Sequence, residues 1–508
     1  MRMIGKKHFG RGWQRVVGRL YFPDSIFPRE RDLIEVNRYT GSLYWNFIAF
    51  LLPALYSTLS KLWVANIDSN LVVTTDVYTY IQTIAEVLNE GLPRTAWLII
   101  GDNAIRSTAS RLSLSYTLIL FQILCGTIMT VILIGASDKF ADTFLPVEVR
   151  KTSLTYVRIS APVALSSAIQ VAVSSCTRAL DQPDVSLVIS SIGFLLNIIL
   201  DLLLISRFHV GSFKPTILMQ AGIRLSCDFL SALTGLCYFF LLAHTMGKEV
   251  RNQDAEEKIR PQVAALKVLL RPAVYTFIET IVRNGFYLWL VAVIINMGKT
   301  YATAWGVFNT IRWGVVMVPV NTLQASALTF VGHRWSAWHA RVGAESRNPV
   351  ASWADIKDIS RPAVTSALLS LAVEVPICIF LSIWGIKPFA YYLSASQEVA
   401  EITQKMWRYI DWTYIFYALS TQLSALLLAT VPRFYLYQSL GSNFLWMLPW
   451  AIVMTTTKFG EERAWMFYAV IFGGALVIDF LNVGGVVVGW ELALRRGRMG
   501  VRSVGRGL

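Results

Sequence analysis

Charge is scarce in this chain. Only 15% of its 508 residues are Asp, Glu, Lys or Arg, where a soluble globular protein carries roughly a quarter. Cysteine is scarce too. The five (Cys125, Cys176, Cys227, Cys237, Cys378) fall in apolar stretches, with no Cys-x-x-Cys pair, so neither a disulfide framework nor a zinc site is indicated. The five histidines (His8, His209, His244, His333, His339) lie in tails, loops or the ends of apolar runs. That placement argues against a His-based intramembrane acyltransferase or a His-box di-iron oxidase. A Gly-x-x-x-x-Gly-Lys-Ser/Thr phosphate loop is missing, which excludes an ATP-driven module of that kind. Paired Asp-rich motifs for a metal-bound diphosphate are missing as well. No cofactor and no metal site is expected, and the chain does not read as an enzyme.

Apolar length is what the chain has in abundance. Hydrophobic residues make up 55%, and mean hydropathy is +0.50. They gather in runs of roughly 20 residues or more, enough to cross about 30 Å of hydrocarbon at about 1.5 Å per residue. Backbone polar groups in a bilayer must be satisfied internally, so only helices or a closed barrel can span it. The runs are continuous rather than alternating, which selects helices. Twelve spans are expected, at about 41–64, 71–100, 112–135, 154–177, 184–205, 215–243, 272–295, 301–331, 362–385, 406–430, 434–457 and 464–490. The second is the weakest by hydropathy, because Asp76, Gln82, Glu86, Asn89 and Glu90 fall inside it.

The excess charge is positive, at +14. With both termini cytosolic, the tails and even-numbered loops hold about 29 Lys and Arg and the odd-numbered loops about 10. The charge is thus accounted for by retention inside and contact with anionic lipid, without nucleic acid as a partner. The first 38 residues are basic and lack the apolar core of a signal peptide. The expected organisation is a cytosolic tail (1–40), a six-helix half (41–243), a cytosolic linker (244–271), a second six-helix half (272–490) and a basic tail (491–508).

A short phrase occurs twice. Pro53-Ala54-Leu55-Tyr56-Ser57 opens the first long apolar run, and Pro272-Ala273-Val274-Tyr275-Thr276 opens the seventh. Further pairs follow in the same order. Leu92 to Asp102 lies on Leu323 to His333, Lys139-Phe140-Ala141 on Pro388-Phe389-Ala390, and Pro183 on Pro432. This is an internal duplication. Six spans separate the copies, so the halves are parallel and related by a pseudo-two-fold axis along the membrane normal. Pro53 and Pro272 are expected to kink homologous helices.

Ionisable groups inside spans line cavities or pair with one another. The acids are Asp76, Glu86, Glu90, Asp201, Asp228, Glu279, Glu374, Asp411 and Asp479; the bases are Lys61, Arg94, Arg158, Arg224, Arg283, Arg312 and Arg408. Glu279 ranks first, seven residues past Pro272. It is either a proton-coupling carboxyl or the ion-pair partner of Arg283 at i+4. Asp76 and Glu86, with Gln82 near them, fall on one helix face and are expected to meet a water-filled cavity. Glu374 has no cation nearby in sequence and is assigned to ion coupling with Glu279. Asp411 is added to that set, near the start of its span. Asp201 is expected at the membrane interface. Among many aromatics, Tyr275 and Trp305 are candidates for stacking against substrate, with Arg283 beside them.

Twelve spans in two parallel halves, the paired prolines, and the endings Ile100-Gly101-Asp102 and Val331-Gly332-His333 resemble the multidrug and toxic compound extrusion (MATE) family. So do Thr177-Arg178-Ala179-Leu180-Asp181-Gln182-Pro183 and the following Asn197-Ile198-Ile199-Leu200-Asp201. The resemblance covers roughly residues 40–490. It implies a secondary antiporter that exports a small organic molecule or toxin by alternating access, with H⁺ (or Na⁺) moving inward. It also implies a coupling acid in the seventh span, where Glu279 stands. Two departures matter. A second acid in the seventh span is replaced by Arg283 and Asn284, and the first span carries Lys61 where many bacterial members have an aspartate. Na⁺ coupling through that aspartate is unsupported, and Lys61 and Arg283 leave an anionic substrate open. The alternatives are a flippase of lipid-linked intermediates and a membrane enzyme acting on isoprenoid lipids. A monomer is expected, in the plasma membrane first, with vacuole or endoplasmic reticulum as other locations.

Overall fold

Each apolar run becomes a helix that satisfies its own backbone, and the computed structural model contains twelve such passes. It describes residues 30–101, 106–180, 183–208, 210–212, 214–251, 259–342, 350–457 and 459–498. No strand occurs among them. Trp45–Leu508 belongs to one compact unit, and every candidate residue lies in it.

The passes are α1 (Glu30–Ile67), α2 (Asp76–Asn89, extended by Pro93–Thr95 and Ala96–Ile99), α3 (Thr108–Gly135), α4 (Arg150–Ala179), α5 (Pro183–Leu204) and α6 (Ile217–Arg251). Then follow α7 (Val263–Ile295), α8 (Lys299–Ile311 and Met317–Val342), α9 (Trp353–Ser394), α10 (Gln397–Thr430), α11 (Pro432–Ser442 and Leu448–Thr456) and α12 (Glu461–Arg495). Among the described residues, nine of these helices are long and apolar enough to cross a bilayer. The others are the interrupted α2 and α11 and the 22-residue apolar α5. α4 is broken at Ala161-Pro162, where proline removes a backbone donor. Ser352 and Asp355 form a reciprocal cap that starts α9.

The duplication is visible in the packing. α4 packs against α2, α3, α5 and α6; α10 packs in the same way against α8, α9, α11 and α12. Six-residue-scale similarity in sequence thus corresponds to equivalent neighbours at the centre of each half. The halves are not equally regular. Three π turns, Arg312–Val316 in α8, Leu381–Gly385 in α9 and Asn443–Met447 in α11, all lie in the C-terminal half.

Several expectations change. α6 runs on to Arg251 and α7 starts at Val263, so helix fills most of the segment expected as a linker. Pro272 therefore lies in the interior of α7 rather than at its start, as Pro53 does in α1. Val331-Gly332-His333 does not end α8, which continues to Val342. Asp102, Asp181 and Gln182 of the quoted motifs lie outside the described residues, as do residues 1–29, 252–258 and 499–508 of the expected tails and linker.

Candidate functional site

The densest polar network joins α2, α7 and α11. Pro272 has no N–H, so the carbonyl one turn earlier in α7 loses its usual donor. Two turns on, Glu279 is 1% exposed. Its Oε1 accepts from Arg283 Nε at 2.9 Å and from Ser439 Oγ of α11 at 3.0 Å. Its Oε2 accepts from Thr280 Oγ1 at 3.3 Å, with Arg94 Nη1 at 3.9 Å. Both guanidiniums also converge on one oxygen of Glu90, Arg283 Nη2 at 2.5 Å and Arg94 Nη1 at 2.9 Å. Asn284 Nδ2 reaches Glu86 Oε2 at 3.1 Å. The Arg94 guanidinium covers the Tyr435 ring at 5.1 Å.

The i+4 pairing of Glu279 with Arg283 is therefore present, within a larger cluster. Three carboxylates (Glu86, Glu90, Glu279) face two guanidiniums (Arg94, Arg283). Buried charges persist only when paired and hydrogen-bonded. One carboxylate beyond balance means that the cluster can take up a proton without becoming positive. Glu90 and Arg94 were legible as ionisable residues in an apolar run, but no spacing rule ties them to residues of α7.

Asp76 does not line a water-filled cavity with Glu86. It is 4% exposed, and Lys61 Nζ of α1 donates to its Oδ1 at 2.5 Å and to the Gly306 carbonyl of α8 at 2.8 Å. Gly306 is required there, because a Cβ would overlap Asp76 Oδ2. The expected polar face of α2 divides: Asp76 binds Lys61 of α1, which also holds α8, while Glu86 turns to α7. Gln82 is half-buried between them. Trp305 is fully buried and stacks on Phe472 at 4.7 Å, so it packs the interior rather than offering a free face. Tyr275, one turn before Glu279, is 38% exposed.

Asp201, three residues before the end of α5, is fully buried within the protein. Tyr56 Oη of α1 donates to its Oδ2 at 2.9 Å, and Gln220 of α6 binds Tyr56 Oη at 3.1 Å and Ser60 Oγ at 2.8 Å. Asp201 Oδ1 and Asn197 Oδ1 are buried with no hydrogen-bond partner. The available signal was Asn197, one turn before Asp201 on the same face of an otherwise apolar run. Arg224 lies over the rings of Tyr56 and Tyr78 at 5.0 Å and 3.1 Å, and Tyr78 Oη donates to Asp228.

Glu374 of α9 is fully buried. Its Oε1 has no partner, and its Oε2 has only Cys378 Sγ, at 4.0 Å. Glu374→Gln should therefore keep the stability of the wild type to within about 1 kcal/mol, since glutamine retains the shape with no charge to desolvate. Thermal unfolding in detergent checks this, and a larger loss would mean that an ionised carboxylate is needed there. Asp411 is not near the start of its span. It sits at the internal break of α10, between Gln397–Ile410 and Tyr414–Thr430, and accepts from Ser382 in the π turn of α9. Asp479 of α12 accepts from Gln438 and, at 3.0 Å, from Ser442. The polar face of α11 thus joins Glu279 on one side and Asp479 on the other.

A cavity of about 240 Å³ lies apart from these groups, among α4, α5 and α6, with Gln170, Ser174, Arg178 and Ser231 in its wall. No group of three or more potential metal ligands occurs among the described residues.

A protein-family model, MatE, matches residues 106–203, from the loop before α3 into α5. No curated protein matches the chain. Solved structures match nearly its whole length. One is a MOP-superfamily transporter from Pyrococcus furiosus, described as having a binding pocket whose reverse polarity suggests a different function. It superposes with a TM-score of 0.68 at 14% identity, over 89% of this chain and 96% of its own. A multidrug resistance MATE family transporter of the MOP superfamily in an outward-facing conformation gives 0.66 at 13% identity, over 91% and 96%. An inward-facing conformation of such a transporter gives 0.63 at 13%, over 85% and 95%. The chain has the fold of MATE transporters, twelve helices in two halves, and carries the MatE signature across 106–203.

Proposed function

We propose that the chain is a secondary active transporter that exports a small organic molecule in exchange for inward protons. The observation that carries this reading is the Glu86–Glu90–Glu279 cluster with its two guanidiniums, where the halves meet: Glu279 is buried and the other members are partly exposed. A proton added there changes the charge balance among α2, α7 and α11, and so favours one arrangement of the halves over another. The fold supports alternation between such arrangements, since structures of the same fold are described as inward-facing and as outward-facing. Glu279 is the principal coupling group in this reading. Glu374 and Asp411 are further coupling acids in the C-terminal half, and Asp201 offers a buried carboxyl in the N-terminal half. The chain acts as a monomer in the plasma membrane, organised as two six-helix halves with cytosolic basic tails.

A flippase would need cations free to hold a diphosphate. Of Lys61, Arg283 and Arg312, the cations that favour that alternative, the first two have carboxylate partners, which leaves the single charge of Arg312 where a diphosphate would need several.

The test is exchange in proteoliposomes holding a labelled panel of organic cations, anions and neutral compounds. An imposed pH gradient should drive movement of at least one class, and a protonophore should stop it. Movement that ignores both the gradient and the protonophore would overturn proton coupling.

A further inference from the structure

Arg312 opens the π turn Arg312–Val316 of α8. Such turns break helical register and are frequent at functional sites. The Arg312 guanidinium lies 5.9 Å from the Trp305 ring and 5.5 Å from the Trp313 ring. The Tyr414 hydroxyl is hydrogen-bonded to this guanidinium, and those of Tyr287 and Tyr417 are near enough to feel its charge. Its surroundings thus come from α7, α8 and α10, in the C-terminal half and one helix away from the acid cluster on α7.

Its charge sets it apart from the other cations of this region. Lys61, Arg94 and Arg283 each have a carboxylate oxygen within 4 Å. Among the described residues Arg312 has none, and its Nε is buried without a hydrogen-bond partner. The rest of the side chain is only partly covered. Arginine stays protonated, and an unpaired cation within a membrane span is costly. Aromatic faces offset part of that cost. The rings and the one hydrogen bond to the Tyr414 hydroxyl leave the buried Nε donor of the planar fork unsatisfied, and the geometry of that fork matches a carboxylate. Tyr287 and Tyr417 are themselves partly exposed and offer ring surface next to that fork.

We propose that Arg312 is the substrate-recognition residue for an organic anion, taking the carboxylate of an aromatic acid whose ring packs against Tyr287 and Tyr417. This rests on the transporter reading and names its substrate class. It also places the anion on α8, on a different helix from Glu279, the principal coupling carboxyl on α7. Anion and proton are linked through the arrangement of the halves and not by competition for one carboxylate.

The test is calorimetric binding to the purified protein in detergent, with 1-naphthoate and 1-naphthylmethylammonium as probes. Both carry the same ring and differ in charge. Wild type should bind naphthoate at least about tenfold more tightly than the ammonium compound. Arg312→Gln should lose naphthoate affinity by about tenfold or more and leave ammonium binding unchanged, and Arg312→Lys should keep part of the preference. Equal or reversed preference in wild type, absent naphthoate binding, or naphthoate binding that survives Arg312→Gln would each overturn the proposal. A melting curve accompanies each variant; if the glutamine variant fails to fold, the wild-type comparison and the lysine variant decide. Binding needs no gradient, so its failure is distinguishable from failed transport. Naphthoate binding without pH-driven movement would overturn the transporter reading and leave the site standing.

Discussion

Glu279→Gln should lower pH-gradient-driven exchange in proteoliposomes by about 5–150-fold, the range of coupling free energies between linked sites, while the protein stays folded. Glutamine fills the same volume, and Ser439 still has an oxygen to bond. Arg283 and Arg94 keep Glu90 as a shared carboxylate, so no guanidinium is stranded. The substitution also brings the cluster to two carboxylates and two guanidiniums, which removes the surplus that a proton would neutralise. A structural bridge predicts a different pattern: the loss would fall on thermal stability, and transport by the surviving protein would still follow the gradient. Unchanged exchange in a stable Glu279→Gln protein would rule it out as the coupling acid.

Lys61→Met should destabilise the protein by about 3–5 kcal/mol, the usual effect of removing one member of a buried ion pair. Lys61 and Asp76 are both nearly inaccessible, with side-chain exposures of 5% and 6%. Asp76 Oδ2 already has no partner, so the variant leaves the whole carboxylate without a cation. The same lysine holds the Gly306 carbonyl, so α1, α2 and α8 lose a common tie. Lys61→Met combined with Asp76→Leu should recover most of the loss, because apolar replacement of a whole buried pair is often neutral or stabilising. Unfolding in denaturant checks both variants. A double variant as unstable as the single one would show that the tie to Gly306, and not the stranded charge, dominates. A single variant within about 1 kcal/mol of wild type would refute a buried ionic pair.

These two sites show what could be read along the chain and what could not. The pairing of Glu279 with Arg283 was readable because it is local, one helical turn at i+4. The pairing of Lys61 with Asp76 was not, although both residues were visible as ionisable groups in apolar runs. It requires α1 and α2 to meet α8, and Gly306 to admit the carboxylate. The partners of Asp201 were hidden for a similar reason. Distance from the end of an apolar run gives depth, but Tyr56 and Gln220, which enclose Asp201, come from other helices.

Sequence by itself determined that the chain is helical and crosses the membrane repeatedly, since a bilayer admits few other ways to satisfy a backbone of such apolar runs. Its repeated phrases also established the division into two related halves, because homologous helices keep their prolines and their order. Only the tertiary structure decided which charges are already spent and which remain open. Hydropathy and spacing describe one helix at a time, whereas the pairing of a buried charge depends on the distance to another helix, and Coulomb energy falls with that distance. Lys61, Arg94 and Arg283 look alike in sequence to Arg312; in the folded protein the first three face carboxylates and the last faces rings.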